Sequence, residues 1–141
     1  MSTVPPAIHD LARRLIALEA ARPESPGAPL GGAVRVCDRL RTALARLAGV
    51  AGFRSLLSRA LALATAEAPE LAAARVRTDG ALEGLEGFPY DHDTGAGVAI
   101  VTHLLGLLVT FIGEPLTLRL VRDAWPDAPV TGADAGSGGQ P

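Results

Sequence analysis

The sequence predicts an all-α fold, a bundle of four to five helices around one buried apolar helix, which also leaves room for a small β-hairpin near residues 75–83. Three observations carry this prediction. The segment Thr94–Gly113 contains no Asp, Glu, Lys or Arg. Other segments repeat apolar residues at helical spacing, and the pair Asp79-Gly80 separates two short segments of alternating polarity. Together they indicate one core helix and several amphipathic helices that cover it.

The uncharged segment is long enough for two environments. Its residues, at a rise of 1.5 Å each, make a helix of about 30 Å, which spans a bilayer or the middle of a small domain. Its composition favours the domain, because four glycines lower its helix propensity and its threonines are polar. Membrane association through residues 94–113 remains an alternative. The residues expected in the core are Leu104, Leu105, Leu108, Val109 and Ile112.

The first helix is predicted to follow Pro5 and Pro6, which suit the first turn of a helix. Its apolar residues recur at helical spacing and are Ile8, Leu11, Leu15 and Leu18. Residues 22–32 hold three prolines and three glycines, so we expect a linker inside a single helical domain that covers residues 1–125. Residues 126–141 are rich in small residues, Gly and Pro, and are expected to be disordered.

A second helix is predicted over about residues 33–47, and a third helix after Gly52. Gly49 is expected to end the second helix, so that the two form an antiparallel hairpin. The apolar face of the second helix consists of Val36, Cys37, Leu40, Leu44 and Leu47. That of the third helix consists of Phe53, Leu56, Leu57, Ala60, Leu61 and Ala64. Both faces are available to cover the core helix.

The segment from Pro69 onward changes its period. Pro69 suits the start of a short helical turn, and Asp79-Gly80 is typical of a type I′ turn between two strands. Val76 and Leu82 are expected to face the helices, because a lone hairpin is marginal in water. Pro115 is expected to begin a last helix with a broad apolar side. That side consists of Leu116, Leu118, Leu120, Val121, Ala124 and Trp125.

Two segments of the chain resemble known sequences. They are GVAGFRSLLSRALALA (residues 49–64) and LLGLLVTFIGEPLTLRLVRDAWP (residues 104–126). Both are similar to segments of a family of small bacterial α-helical proteins that has no assigned function. The resemblance therefore implies no activity, cofactor or catalytic residue.

No catalytic, cofactor-binding or metal-ligating residue is predicted, and the chain is not expected to be an enzyme. Ser55 and Ser58 have no histidine within sequence reach and belong to no Gly-x-Ser-x-Gly motif. The single cysteine, Cys37, excludes an intrachain disulfide and a multi-cysteine zinc site. We expect Cys37 to be a small buried hydrophobic residue and His103 to be a hydrogen-bonded core histidine.

The densest polar cluster consists of Asp91, His92 and Asp93. Adjacent residues in a loop can converge on a metal ion, but their spacing matches no recurring metal site. A cap on the core helix, formed by Asp93 or Thr94, is the favoured interpretation. Whether Asp91, His92 and Asp93 bind a ligand stays open at this point.

Arginines form one candidate interaction surface. Arg35, Arg39 and Arg46 share one face of the second helix, and Arg54 and Arg59 lie on the outer side of the third. Contact with phosphates would make the chain a nucleic-acid-binding regulator. The pI of about 5.9 and the absence of lysine weigh against this alternative. A solvated or intramolecularly paired face is favoured instead.

By elimination, the sequence favours a non-enzymatic helical interaction or regulatory module, with self-association as one form of it. Four amphipathic faces around one apolar helix leave apolar surface for a protein partner or a second copy. The N-terminus lacks the residue order of a signal peptide, so a cytoplasmic location is expected. A protein is the favoured partner, a membrane is less favoured and nucleic acid least, and no cofactor is expected.

Overall fold

Four α-helices, one 3-10 helix and a two-stranded hairpin make up the part of the chain that this computed structural model describes, residues 6–20, 31–84 and 95–126. The helices are α1 (Pro6–Ala20), α2 (Gly31–Glu67), α3 (Gly95–Ile112) and α4 (Glu114–Ala124). The 3-10 helix is Pro69–Ala73, and the strands are β1 (Arg75–Val76) and β2 (Leu82–Glu83). The predicted all-α class with a small hairpin is confirmed.

Two predicted segments lie mostly outside the described residues. Of the predicted linker over residues 22–32, only Gly31 and Gly32 are described, and both belong to α2, which therefore begins before the expected end of the linker. Of the predicted disordered tail over residues 126–141, only Pro126 is described. The extent of the domain, residues 1–125, stays a prediction.

Helix α3 is the buried centre of the bundle. Every residue from Ala96 to Leu105 is buried, and so is Leu108. The helix packs most extensively against α2 and also contacts α1 and α4. Val109 and Ile112, which we expect in the core, are only partly buried, and Phe111 is 63% exposed. The last turns of α3 are uncharged and mostly apolar, and only part of their surface faces the bundle.

Helix α2 bends at Gly49, whose φ of 78° and ψ of 168° are not helical. The predicted break is confirmed, although the helix resumes immediately and not after Gly52. A side chain at Gly52 would not fit, because its Cβ would lie 2.9 Å from Cβ of Ala48 across the bend. We refer to residues 31–48 and 50–67 as the first and second segments of α2.

The bend brings the two segments of α2 back towards each other. A Cβ on Gly80, in the hairpin, would lie 2.9 Å from Cδ of Arg41 in the first segment and 3.3 Å from Cδ2 of Phe53 in the second. A straight helix would place residues 41 and 53 about 18 Å apart along its axis. Their convergence on one glycine agrees with a sharp reversal of the chain at Gly49.

The hairpin lies against the helices as expected. Its strands are antiparallel, with Arg75 opposite Glu83 and Val76 opposite Leu82. Val76 and Leu82 are partly buried and pack on the hydrophobic core, which confirms their inward orientation. This packing supplies the apolar contact that two strands of this length lack by themselves.

The turn of the hairpin differs from the expected type I′. The amide of Gly80 donates to the carbonyl of Arg77 at 2.9 Å, so Gly80, with φ 89°, ends the four-residue turn and does not occupy its centre. Asp79 Oδ1 accepts from the amide of Ala81 at 3.0 Å. This hydrogen bond, together with the charges of Arg77 and Arg41, lowers the pKa of Asp79. The turn therefore lies one residue earlier in the chain than the Asp-Gly pair predicts.

Helix α4 follows Gly113, whose φ is 92°, and carries Pro115 in its first turn, as predicted. Leu120, Val121 and Trp125 are buried. Leu116 is 38% exposed, which contradicts its expected place on the covered side. Thr117 is buried instead, and its hydroxyl donates to the carbonyl of Gly113 at 2.8 Å. The covered side of α4 is therefore narrower than its apolar residues suggest.

Candidate functional site

A buried carboxylate lies where three helices meet. Glu19, near the end of α1, is 1% exposed. It belongs to the apolar face of α1, four residues after the fully buried Leu15. A carboxylate at such a position lowers stability unless cations and hydrogen-bond donors surround it. Its neighbours in the structure are of that kind.

Three side chains surround the carboxylate of Glu19. Arg35 Nε lies 3.1 Å from Oε1, and Arg39 Nε lies 2.5 Å from Oε2. The indole Nε1–H of Trp125 donates to Oε2 at 2.7 Å. Arg39 also donates from Nη1 to the carbonyl oxygen of Ala124 at 3.3 Å. We call Glu19, Arg35, Arg39 and Trp125 the Glu19 cluster, which joins α1, α2 and the end of α4.

The Glu19 cluster divides the predicted arginine surface. Arg35 and Arg39 have side chains that are 24% and 37% exposed and pair with Glu19, so the intramolecular pairing that the sequence favours is found for these two. Arg46, Arg54 and Arg59 are exposed. The structure therefore does not bring the five arginines together as one solvent-facing surface.

The exposed arginines line two separate depressions. Arg46 lines a cleft with Arg39, next to Asp123 of α4. Arg54 and Arg59 flank a shallow and more open depression on the second segment of α2. Its other lining residues are small and are Ala51, Ser55, Ser58 and Ala62.

Sequence reasoning missed Glu19 as a functional or structural residue, although a signal for it exists. Glu19 follows Leu11 and Leu15 at intervals of eight and four residues, which places it on the apolar face of the helix. A single acid on such a face predicts a buried ion pair. Arg35 and Arg39, four residues apart on α2, are spaced to meet such an acid from one side. Only the structure identifies Trp125 as the third partner.

His103 and Glu67 form a second polar contact at the edge of the core. His103 is 8% exposed, and its Nε2 lies 2.8 Å from Oε2 of Glu67 at the end of α2. This confirms His103 as a hydrogen-bonded core histidine. Glu67 has a side chain that is half exposed, so water reaches the outer side of the pair. The contact ties the end of α2 to the middle of α3.

Cys37 is buried in α2, as predicted. Burial, with a smaller contribution from the neighbouring carboxylate of Asp38, raises the pKa of Cys37 to about 12. At neutral pH the side chain is therefore an uncharged thiol, and the thiolate is the nucleophilic form. This supports a packing role for Cys37.

The described residues contain no group of three His, Cys, Asp or Glu side chains that could hold a metal ion. The cluster Asp91, His92 and Asp93 lies outside the described residues. Ser55 and Ser58 are exposed on α2. Whether the chain is an enzyme stays a matter of prediction.

Two described helices are long and apolar enough to cross a membrane. They are Gly32–Glu67 and Gly95–Ile112, whose mean hydropathies over 18 residues are 1.3 and 2.1. Of the helix Gly95–Ile112, 61% is buried inside the bundle. A core helix and a membrane span share this length and composition, so the property does not separate the two.

Comparison of the chain with protein-family models, with curated proteins and with solved structures finds no match. The resemblance of residues 49–64 and 104–126 to small bacterial helical proteins therefore stays a prediction. The function has to be inferred from the exposed surfaces of the bundle and from its polar clusters.

Proposed function

We propose that this chain is a non-enzymatic interaction or regulatory module that binds another protein surface, a second copy of itself included, through apolar side chains which the bundle leaves exposed. The observation that carries the proposal is the exposure of Leu47 and Phe111, at 58% and 63%. Leu47 contradicts its expected place on the covered face of α2. Both are large apolar side chains in the joints between helical segments.

Exposed apolar residues are ordinary when they are scattered singly. Here four of the five large apolar side chains that are exposed in the described residues are grouped by position. Leu47 and Val50 flank the bend at Gly49, and Phe111 and Leu116 flank Gly113 between α3 and α4. Each joint therefore presents two apolar side chains. The four residues Leu47, Val50, Phe111 and Leu116 are called the joint residues below.

Contacts at the other end of α4 support placing both joints on the same side of the bundle. Trp125 meets Glu19 beside Arg35 and Arg39, whereas Asp123 and Ala124 line a cleft that extends to Arg46. Residues earlier in α4 therefore lie beside residues later in the first segment of α2. This order favours an antiparallel arrangement of the two.

The distances along the helices agree with this arrangement. Gly49 follows Arg39 by ten residues, or about 15 Å of helix, and Gly113 precedes Ala124 by eleven residues, or about 16 Å. Arg39 and Ala124 are hydrogen-bonded to each other. Two antiparallel elements of equal length from a shared contact end near each other, so we infer that the joint residues lie together at one end of the bundle.

Sedimentation velocity over a concentration series tests the proposal. We expect the average mass of the parent protein to rise with concentration, or the parent to retain a discrete protein from cell lysate. The double variant Leu47→Ser/Phe111→Ser should lose either behaviour. Leu63→Ser is the matched control, because Leu63 is 39% exposed but lies away from both joints.

A parent protein that sediments as a monomer at every concentration and retains the same lysate proteins as the double variant would contradict the proposal. Circular dichroism of the double variant should match that of the parent, because both substituted side chains are already mostly in water. This comparison separates loss of binding from loss of folding.

Membrane association through residues 94–113 is the alternative that the hydropathy of α3 favours. It requires that α3 leave its contacts with α1 and α2, which bury it from Ala96 to Leu105. Centrifugation of a detergent-free lysate at high speed separates the two proposals. Recovery in the membrane pellet would support the alternative, and recovery in the supernatant would oppose it.

A nucleic-acid-binding regulator is less favoured, because Arg35 and Arg39 pair with Glu19. The arginines left to contact phosphates are Arg46, Arg54 and Arg59. Replacing these three by Gln tests the alternative without uncovering the buried carboxylate. Binding of duplex DNA that weakens steeply with salt and disappears in the triple variant would support it.

A further inference from the structure

A cleft between α2 and α4 has the character of an anion site. It has a volume of about 280 Å³ and is open to solvent. Its lining residues are Arg39, Thr42, Ala43, Arg46, Asp123 and Ala124. Two arginines thus border a space large enough for a small ligand.

The spacing of Arg39 and Arg46 directs both side chains to the same space. They are seven residues apart, which is two helical turns, so they lie on one face about 10 Å apart along the axis. Thr42 and Ala43 lie between them in the sequence and also line the cleft. Two long side chains that border one cleft can approach the same ligand.

The existing contacts hold Arg39 in place and leave part of its guanidinium available. Nε pairs with Glu19 and Nη1 donates to the carbonyl of Ala124. A guanidinium has more N–H donors than these two contacts use, and the side chain is 37% exposed. Because Glu19 and Ala124 fix Arg39, a ligand would meet an ordered donor, which lowers the entropic cost of binding.

The other polar groups of the cleft differ in whether they can donate a hydrogen bond to a ligand. Arg46 forms no hydrogen bond or ion pair with another described residue, so its guanidinium is free to turn to a ligand. The hydroxyl of Thr42 donates to the carbonyl of Asp38 at 3.2 Å and is therefore not a donor to the cleft. Asp123 is exposed and forms no ion pair with either arginine within the described residues.

The formal charges favour an anion. Of the charged residues that line the cleft, Arg39 and Arg46 are cationic and Asp123 is anionic, so the lining carries a formal charge of +1. We propose that this cleft binds a phosphate group, with Arg39 as the fixed donor and Arg46 as the mobile one. Terminal phosphate oxygens accept hydrogen bonds from several directions, which suits two guanidinium groups on opposite sides.

Titration of the full chain at low ionic strength, followed by the shifts of backbone amide NMR signals, tests this site. The probes are inorganic phosphate, phenyl phosphate, and phosphatidylcholine vesicles with and without phosphatidic acid, the last assayed by co-sedimentation. Binding of inorganic phosphate alone identifies the source of the phosphate group as a free ion. Binding of phenyl phosphate identifies a soluble ester, and binding of phosphatidic acid vesicles identifies a lipid.

Three variants locate the binding. Arg46→Gln should weaken it at least about tenfold, because it removes a charge-assisted hydrogen bond. Asp123→Asn should strengthen it, because a carboxylate at the rim repels the ligand. Arg59→Gln, an exposed arginine outside the cleft, is the matched control and should bind like the parent.

Two outcomes would overturn the assignment. One is that none of the three phosphate probes binds to the parent protein. The other is that Arg46→Gln binds as tightly as Arg59→Gln does, which would make any binding a general effect of positive charge. Both substitutions alter exposed side chains, so thermal unfolding without ligand should be unchanged and folding does not confound the comparison.

Discussion

Trp125 donates its indole hydrogen to Oε2 of Glu19 at 2.7 Å, although 106 residues separate the two in the chain. The contact is buried and is shared with Arg39, which reaches the same oxygen. It holds the end of α4 against α1 and the first segment of α2. Because a buried carboxylate is stabilised only by its complete set of partners, each partner should make a measurable contribution to stability.

Trp125→Phe should lower the free energy of unfolding by about 1.5 to 3 kcal/mol, because it keeps an aromatic ring but removes the donor to a charged group. Glu19→Ala should cost about 3 kcal/mol or more, because it leaves Arg35 and Arg39 partly buried without their anion. Urea denaturation gives both values. Glu70→Ala, an exposed acid in the 3-10 helix, is the control and should stay within about 0.5 kcal/mol of the parent.

Local features of this fold are predictable from the sequence, and pairings between distant residues are not. Gly49 marks the bend in α2 and Pro115 marks the start of α4. Both are predictable because the backbone preferences of glycine and proline act within a few residues. The absence of Asp, Glu, Lys and Arg from residues 94–113 likewise identifies α3 as the core helix. The partner of Glu19 is Trp125, and nothing within either helix encodes that choice, because it depends on how α1 and α4 pack on α2.

Two predictions that the structure contradicts, the covered position of Leu47 and the type I′ turn at Asp79-Gly80, fail for different physical reasons. Leu47 continues the apolar face of α2, but it lies in the last turn before the bend, where no other described helix covers it enough to exclude water. Asp79-Gly80 favours a type I′ turn, yet the hydrogen bond from Ala81 to the side chain of Asp79 accompanies a different turn. The exposure of Leu47 thus depends on the packing of the helices, whereas at Asp79 one local interaction competes with another.

Leu108→Ala should lower the free energy of unfolding by about 2 to 5 kcal/mol, because Leu108 is fully buried in α3 and its truncation leaves a cavity. Leu63→Ala, at a partly exposed leucine of α2, should cost less than about 1 kcal/mol. Thermal unfolding in detergent-free buffer measures the difference. A midpoint for Leu108→Ala within about 2 °C of the parent would show that α3 is not packed in solution as it is in the structure.

Gly49→Ala should destabilise the protein by about 1 to 2 kcal/mol, because alanine adopts a φ of 78° only with strain, even though the space around Gly49 is open. Gly95→Ala also adds a methyl group in open space, but Gly95 has no positive φ, so this control should be neutral or slightly stabilising. Equal stability of the two variants in urea would argue against the bend.

Cys37 should make stability depend on alkaline pH. Burial raises the pKa of Cys37 from 9.0 to about 12, so folding favours the protonated thiol, and this contribution is complete below pH 9. As the pH rises from 9 towards 12, the unfolded chain loses the thiol proton before the folded chain does. The stabilisation that comes from keeping Cys37 protonated in the folded state is therefore lost. The parent should therefore lose stability more steeply in this window than Cys37→Ala. If stability falls equally steeply with pH in the parent and in Cys37→Ala, the thiol of Cys37 is in contact with water and not buried.

The reversal at Gly49 has a kinetic consequence. It lets the two segments of α2, the 3-10 helix and the hairpin meet over short sequence separations, so residues 31–84 can associate early during folding. Joining α1 to α4 requires closure of most of the chain and should come after the rate-limiting barrier. Loss of the Trp125 donor would then leave the refolding rate nearly unchanged and accelerate unfolding, which gives the native state a shorter lifetime without making it slower to form.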